Sequence, residues 1–549
     1  MAQGAMDQVE ASLEVISRTY EHVYPYFEGC TKHHLVICAT LLFIHDVTEG
    51  SSPAPVSTAL IEYHAFLEAF ADLCFGDVTG MLRDSRVPRT LFLDVQRSLN
   101  VFNKALAAHR EAWRYVGLAS ELKRQQTVRR SSTITSDLAG QKKRWREEMR
   151  QRSQIWKERA GPDAHSFLFE REEMDSLLEA CNAWIDRLRH TLLVIILVGD
   201  IHSPHFPTND QATHLGIAQM LERQRRLGLG PSEIYMPLTG RLRKSIGTSQ
   251  PHQSLIKTVF NDGSEEMDVM VEIRPYSDTP AASVRQLTWY LSASSQSNAA
   301  RPRITTHDGY NMLSLSCLGY IDDSSNARCL ILFRSPQSHP WASIPPSLHD
   351  LIMKGWTAKL SLTQRFKTAR TLAASVLDIH TSGSLHSSIN SHNIPMMPRQ
   401  LNDSEPSPFL LGWGVRPTPS NGPMALEPNF YHHQSSFGQS YLPPTTAQDI
   451  YSLGVVLLEI GLWTTMSTVF AKLLDTTPRF SAREEKAMFR KVNRVIMELA
   501  HGPDLPREMG VSYARVVQKC LVWNVEDVAE SMLAFRKDVV DVLNVGCSL

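Results

Sequence analysis

Apolar residues recur at helical spacing through most of the first 240 residues. VEASLEVISRTYEHVYPYF carries them with no internal Gly or Pro. EGSSPAP (Glu49 to Pro55) is a break, and STALIEYHAFLEAFADLCF resumes the pattern with Gly76 just beyond it. TLFLDVQRSLNVFNKALAAHREAWRYVGLASELKRQQ is a long amphipathic run that passes into the polar RRSSTITSDLAG. QKKRWREEMRQRSQIWKERA, MDSLLEACNAWIDRLRHTLLVIILVGD and ATHLGIAQMLERQRRLGLG predict further helices, the last closed by glycines as a C-cap would be. With no strand-like alternation, residues 1–240 predict an all-α helical bundle.

The period changes after about residue 250. MDVMVEIRPY alternates between Gly263 and Pro275 and predicts a strand. MLSLSCLGYID and ARCLILFRS predict two more, joined by the turn-like DDSSN. Beyond Pro346 the helical period returns in LTQRFKTARTLAASVLDIHTSG, and proline-rich loops interrupt the region 395–445. The expectation is multidomain: the 1–240 bundle, then a bilobal α+β part with a strand-rich lobe at 250–340 and a helix-rich lobe at 341–549. VVQKCLVWN and ESMLAFRKDVVDVLNVG supply closing helices, and Cys520 falls on an apolar face as a core residue.

Composition narrows the function classes. A chain of 549 residues has room for three or four domains. With 42% hydrophobic and 21% charged residues it is neither wholly disordered nor collagen-like. Its net charge of -1 argues against a globally basic nucleic-acid binder. The eight cysteines form no CxxC pair, so neither a disulfide scaffold nor a cysteine zinc site is expected, and a reducing cytoplasmic setting fits. The opening MAQGAMDQVEASLEV lacks the basic and apolar regions of a signal peptide. The apolar runs Leu35 to Ile44 and Leu192 to Val198 fall short of the roughly 20 residues a membrane crossing needs, and predict buried helix segments.

One local charge stands out. Glu121 to Arg159 holds 12 Lys/Arg against 5 Asp/Glu. A solvated helix face accounts for it, and an anionic partner, either a membrane surface or nucleic acid, is what it would otherwise suit. Arg129-Arg130-Ser131-Ser132 within it has the form of a substrate for a basophilic kinase. The pairs His33-His34, His202/His205 and His432-His433 form no HExxH or other metal pattern, and read as surface or structural histidines.

The second half resembles the protein kinase fold at three places. DIYSLGVVLLEIGLW (Asp449 to Trp463) is similar to the opening of the central helix of the kinase large lobe. The resemblance implies that the Asp449 side chain holds the catalytic-loop backbone, although an aspartate there is also a favourable cap. HSSINSHNI (His386 to Ile394) resembles the His-Arg-Asp-Leu-Lys-x-x-Asn loop, after a helix ending at Ile379-His380. His386 and Asn393 match. Ser387 stands for the arginine, Ser388 for the catalytic aspartate and Asn390 for the lysine. Gly412-Trp413-Gly414, after the apolar Phe409 to Leu411, is similar to Asp-Phe-Gly, with Gly412 in place of the magnesium aspartate. For the downstream segment, Ala425-Leu426-Glu427-Pro428 and Tyr431-His432-His433 remain alternatives.

These departures remove the chemistry the resemblance would imply. A serine cannot replace the carboxylate that accepts the substrate proton, and a glycine offers a hard cation nothing. SLIKTVFNDGSEEMDVMV has one glycine, Gly263, where the phosphate loop needs several. In VMVEIRP the nucleotide lysine aligns with Glu272 or, two residues on and on the same strand face, with Arg274. Taken by itself, Glu272 reads as a solvent-facing carboxylate. ASVRQLTWYLSAS, the following helix, has no acid for the usual lysine-glutamate pair. No catalytic, cofactor-binding or metal residue is therefore assigned.

The arrangement also resembles fungal proteins that join a helical domain related to HeLo and prion-inhibition domains to a degenerate kinase-like domain. The glycine-rich apolar opening helix of HeLo domains is absent here. The expected function is a catalytically inactive regulatory or scaffold module coupled to a helical domain, with a protein partner or an oligomer. The alternatives are a membrane-disrupting helical effector under its control and a weakly active atypical kinase.

Overall fold

The computed structural model describes residues 54–75, 81–83, 87–112, 171–199, 206–243, 255–277, 279–294, 313–335, 345–397, 406–414, 430–433, 444–472 and 482–547, together with Cys30, His33, His34, Ile37, Cys38 and Leu41. The expected helices at 9–27 and 141–160, the basic segment 121–159 with Arg129 to Ser132, His202 and His205, and Ala425 to Pro428 lie outside the described residues. The described part is mostly helical with one curled antiparallel sheet. It divides into two compact units between Ile217 and Ala218.

The first unit is helical. α3 (Arg171–Val198) packs along both α1 (Ala54–Phe75) and α2 (Arg89–Ala112), and the short α4 (Asn209–His214) lies against α1. Tyr63, Phe66 and Phe70 of α1, Leu91, Leu99 and Phe102 of α2, and Ile185 and Leu188 of α3 are buried. Each large side chain so placed contributes about 1.5–3 kcal/mol. Polar pairs set the register: Tyr63 donates to Asn182 (2.7 Å) and Thr191 to Asp94 (3.0 Å). Of the apolar run Leu192 to Val198, Leu192 to Ile196 are helical and at most 1% exposed, as expected, whereas Leu197 and Val198 are half-buried. No helix among the described residues is long and apolar enough to cross a membrane.

The helix expected over 212–230 is two helices. Gly216 at φ +67°, a left-handed conformation an L side chain resists, ends α4 and redirects the chain. It continues as α5 (Ala218–Leu229), which groups with the second unit although the sequence pattern carried the first domain to 240.

In the second unit β1 (Arg241–Leu242), β2 (Leu255–Asn261), β3 (Glu266–Pro275), β4 (Cys317–Asp323) and β5 (Arg328–Arg334) form a sheet in the order β1-β2-β3-β5-β4, antiparallel throughout. Helix α6 (Ala281–Leu291) joins β3 to β4 and packs on β4 and β5. β1 and β2 escaped the sequence reading, although LIKTVFN buries every second residue. β4 starts at Cys317, later than the 312 expected. Alternation splits β3 between two faces. Val269, Val271 and Ile273 join Ile256, Phe260, Leu330 and Leu332 in one core, covered by Leu238 and Leu242. Met270, Glu272 and Arg274 point the other way.

The rest is helical: α7 (Leu348–Met353), α8 (Leu362–Thr381), two short paired strands β6 (Met396–Met397) and β7 (Ser407–Pro408), then α9 (Thr446–Leu462), α10 (Met466–Val469), α11 (Ala482–His501), α12 (Asp504–Leu521), α13 (Val528–Phe535) and α14 (Asp541–Gly546). α8 and α9 both begin with a capping box, Ser361/Gln364 and Thr445/Gln448. Every residue from Asp449 to Gly461 is buried, so α9 is the axis round which α8 and α12 pack. Cys520 is fully buried and its thiol is pushed up by burial, as a core residue's would be.

Candidate functional site

The site is built where the end of α8, the 386–393 loop, the 412–414 turn, the first turn of α9 and strand β3 meet. Asp449 is its anchor. Its carboxylate, 2% exposed, accepts from the backbone N–H of His386 (2.7 Å) and of Ser387 (2.8 Å) and lies 3.2 Å from His380 Nε2. These are the contacts expected of that residue. Burial raises its pKa, but the His380 contact and the other nearby groups outweigh burial and hold it below the usual range. With its amide so held, Ser387 sits at φ +66°.

The loop beyond is closed on itself. Ser388, 4% exposed, receives Asn393 Nδ2 at 3.1 Å on its carbonyl and 3.2 Å on its hydroxyl, and Asn390 Nδ2 also donates to its carbonyl (3.1 Å). Asn390 Oδ1 in turn accepts from the Asn393 N–H at 3.0 Å. Leu411 N–H donates to the Asn393 carbonyl and Gly414 N–H to the His386 carbonyl, both at 2.9 Å, so this loop and the 412–414 turn form one backbone unit.

Gly412 leaves the room that the Asn393 side chain takes up. Gly412 is at φ +77°, and a Cβ there would lie 2.2 Å from Asn393 Nδ2 and 2.9 Å from Oδ1. The carboxamide occupies the place a 412 side chain would take. Asn393, the match to the magnesium asparagine in the resemblance, here ties the loop to itself through Nδ2 on Ser388. Gly412→Asp is therefore expected to cost roughly 3 kcal/mol through backbone strain and overpacking, without creating a metal site. Thermal unfolding checks this: the midpoint falls and magnesium does not restore it.

Glu272 and Arg274 are both buried, at 3% and 1% exposure, which corrects the reading of Glu272 as solvent-facing. They pair with each other along β3: Arg274 Nε donates to Glu272 Oε1 at 2.6 Å and Nη2 lies 2.5 Å from the same oxygen. Arg274 Nη2 also donates to the Trp413 carbonyl (2.8 Å), and Gly412 N–H donates to Glu272 Oε2 (3.4 Å). An acidic side chain thus does reach Gly412, but both its oxygens are engaged and its charge is matched. The two candidates for the lysine slot together tie the sheet to the 412–414 turn.

Trp413, 1% exposed, fills the space between elements. Its ring is 4.6 Å from His386 and 6.2 Å from Tyr290 of α6. Tyr290 reaches Ser382 at the end of α8 (2.6 Å). Tyr290 carried no sequence signal beyond its place on an apolar face. Glu459 did carry one, as the lone acid inside VVLLEIGLW. It is fully buried and accepts from Tyr431 Oη (2.7 Å) and Met466 N–H (2.6 Å), while Tyr431 also meets Ser391 (2.9 Å). Burial raises the Glu459 pKa. Tyr431 is thereby the described anchor of its segment.

Two histidines, the buried His386 and the half-buried His432, make the site acid-sensitive. Burial pushes His386 down from 6.5 to about 4, with the Arg274 charge adding to it and Asp449 opposing, and burial pushes His432 down to about 4. In the unfolded chain both take up a proton near 6.5, whereas the folded unit excludes it until about 4. The unfolded state binds more protons across that window, so stability present above 6.5 is lost as pH falls towards 4. Each histidine contributes up to about 1.4 kcal/mol per pH unit. Unfolding midpoints across the window should fall with pH, and less steeply in His432→Gln.

No family model matches the chain, and no curated protein matches it.

Proposed function

We propose that the second unit is a kinase-like pseudoenzyme, a regulatory or scaffold module that transfers no phosphate and acts through its link to the helical first unit. What supports the likeness is Asp449 under the His386-Ser387 backbone, the Trp413 turn bonded to that loop, and the antiparallel sheet with α6 after β3. The observation that carries the loss of catalysis is Gly412. Its side-chain space is filled by the Asn393 carboxamide, and its N–H meets a Glu272 already paired with Arg274.

The coupling has a physical basis in α5. The chain enters the second unit at Ala218 directly as this helix. Arg226 donates to the Trp289 carbonyl and to Ser292 at the end of α6, both at 2.8 Å, and Gln224 donates to the Thr381 carbonyl of α8 (2.8 Å). Arg223 lies over the Tyr290 ring, 5.9 Å from its centroid. A pull on α5 therefore acts on α6 and, through Tyr290, on Trp413, so two arrangements of this packing would suffice as a switch.

Incubating the full chain with labelled ATP and magnesium tests the reading. The expected result is no autophosphorylation and no transfer to generic substrates. Robust transfer that disappears in Ser388→Ala or Asn393→Ala would overturn it. The local excess of 12 Lys/Arg over 5 Asp/Glu in 121–159 favours a second reading, an N-terminal effector that binds anionic membranes. Absence of binding to anionic vesicles at low salt would remove that reading's electrostatic basis.

A further inference from the structure

We propose that His34, Cys38 and Glu68 form a divalent-metal site of the zinc class in the first unit, with water as the remaining ligand. His34 and Cys38 stand four residues apart in helical backbone, which places both on one face. They are buried, at 1% and 4% exposure, with His34 Nε2 3.2 Å from Cys38 Sγ. Glu68 enters from α1, and the three ligand atoms lie within 4.8 Å of one another.

The distances suit the ion. A zinc ion bound at about 2.0–2.3 Å sets tetrahedral ligand atoms roughly 3.3–3.8 Å apart. The His34-Cys38 separation of 3.2 Å lies just below that range, so the two side chains must spread slightly, and the half-buried Glu68 side chain must turn towards them. Four residues before Glu68 on α1, His64 Nε2 lies 3.9 Å from Glu68 Oε1, beyond hydrogen-bond distance, and attracts the carboxylate only when protonated. The donor set also decides the class. One thiolate, one imidazole and one carboxylate suit a borderline ion such as zinc or cobalt, whereas magnesium and calcium take oxygen alone.

Binding requires two proton movements. Cys38 releases its thiol proton to buffer as the metal–sulfur bond forms. His34 Nε2 donates to the Leu67 carbonyl at 2.9 Å in this structure, so its proton must move to Nδ1 to free the lone pair for the metal. Sequence spacing gave no hint of the site because its ligands come from two separate helical segments.

Cobalt(II) titration of the reduced, chelator-treated full chain tests this. One equivalent should produce a thiolate-to-cobalt charge-transfer band that zinc abolishes. Cys38→Ser should lose the band, and the control Cys74→Ser should keep it. No band at saturating cobalt, or a band that survives Cys38→Ser, would mean that His34 and Cys38 are a hydrogen-bonded pair and nothing more, and would overturn the proposal.

Discussion

Glu272→Lys, which restores the residue type of the kinase nucleotide lysine, is expected to unfold the second unit rather than create a nucleotide site. Arg274 is 1% exposed and its main partner is Glu272. A lysine at 272 leaves two cations side by side in a dry interior and removes the acceptor of the Gly412 N–H. Breaking a buried pair from one side costs about 3–5 kcal/mol, and adding a like charge exceeds that. The midpoint of thermal unfolding should fall by about 10 °C or more. The paired replacement Glu272→Met with Arg274→Met should cost far less than the single change, because no charge is left uncompensated. If Glu272→Lys is as stable as the parent, the pair does not hold β3 to the 412–414 turn.

Asp449→Ala should be nearly as damaging. It leaves the N–H groups of His386 and Ser387 without their acceptor in a buried site and strips His380 of its carboxylate. An orphaned buried donor costs about 1–3 kcal/mol, and bonds to a charged acceptor are the stronger kind. A loss of roughly 4 kcal/mol follows, and Ser387 is then free to leave its left-handed conformation. Amide exchange across 386–393 and 411–414 measures it. Faster exchange confined to these segments is the expected pattern. Unchanged exchange there would show that the loop is held by its own Ser388-Asn390-Asn393 bonds alone.

The two mutants also separate what could be read in the sequence from what could not. Asp449, His386 and Asn393 were legible because each sits at a fixed spacing inside a motif similar to a kinase one, and the 449–386 contact was legible only as what that resemblance implies. Helices α1, α3, α8 and α9 were legible because their apolar faces repeat over many turns. β2 alternates too, but over only seven residues, a weaker signal than that of β3. The burial of Glu272 was not legible, since an isolated carboxylate in a strand costs less in water than in a core unless a cation is waiting. The cation was two residues away, on a face that only the packed sheet identifies.

By itself, then, the chain determined most of its helices, three of its strands and the lack of a carboxylate at 388 and 412, because those depend on local periodicity and on which atoms each side chain carries. Only the tertiary structure decided that Asn393 fills the space above Gly412, that Glu272 and Arg274 neutralise each other against the Trp413 turn, and that α5 belongs with the sheet. Those outcomes depend on distances between segments far apart in the chain. A buried charge or carboxamide takes whatever partner the fold brings within about 3 Å, and no spacing along the sequence encodes that distance.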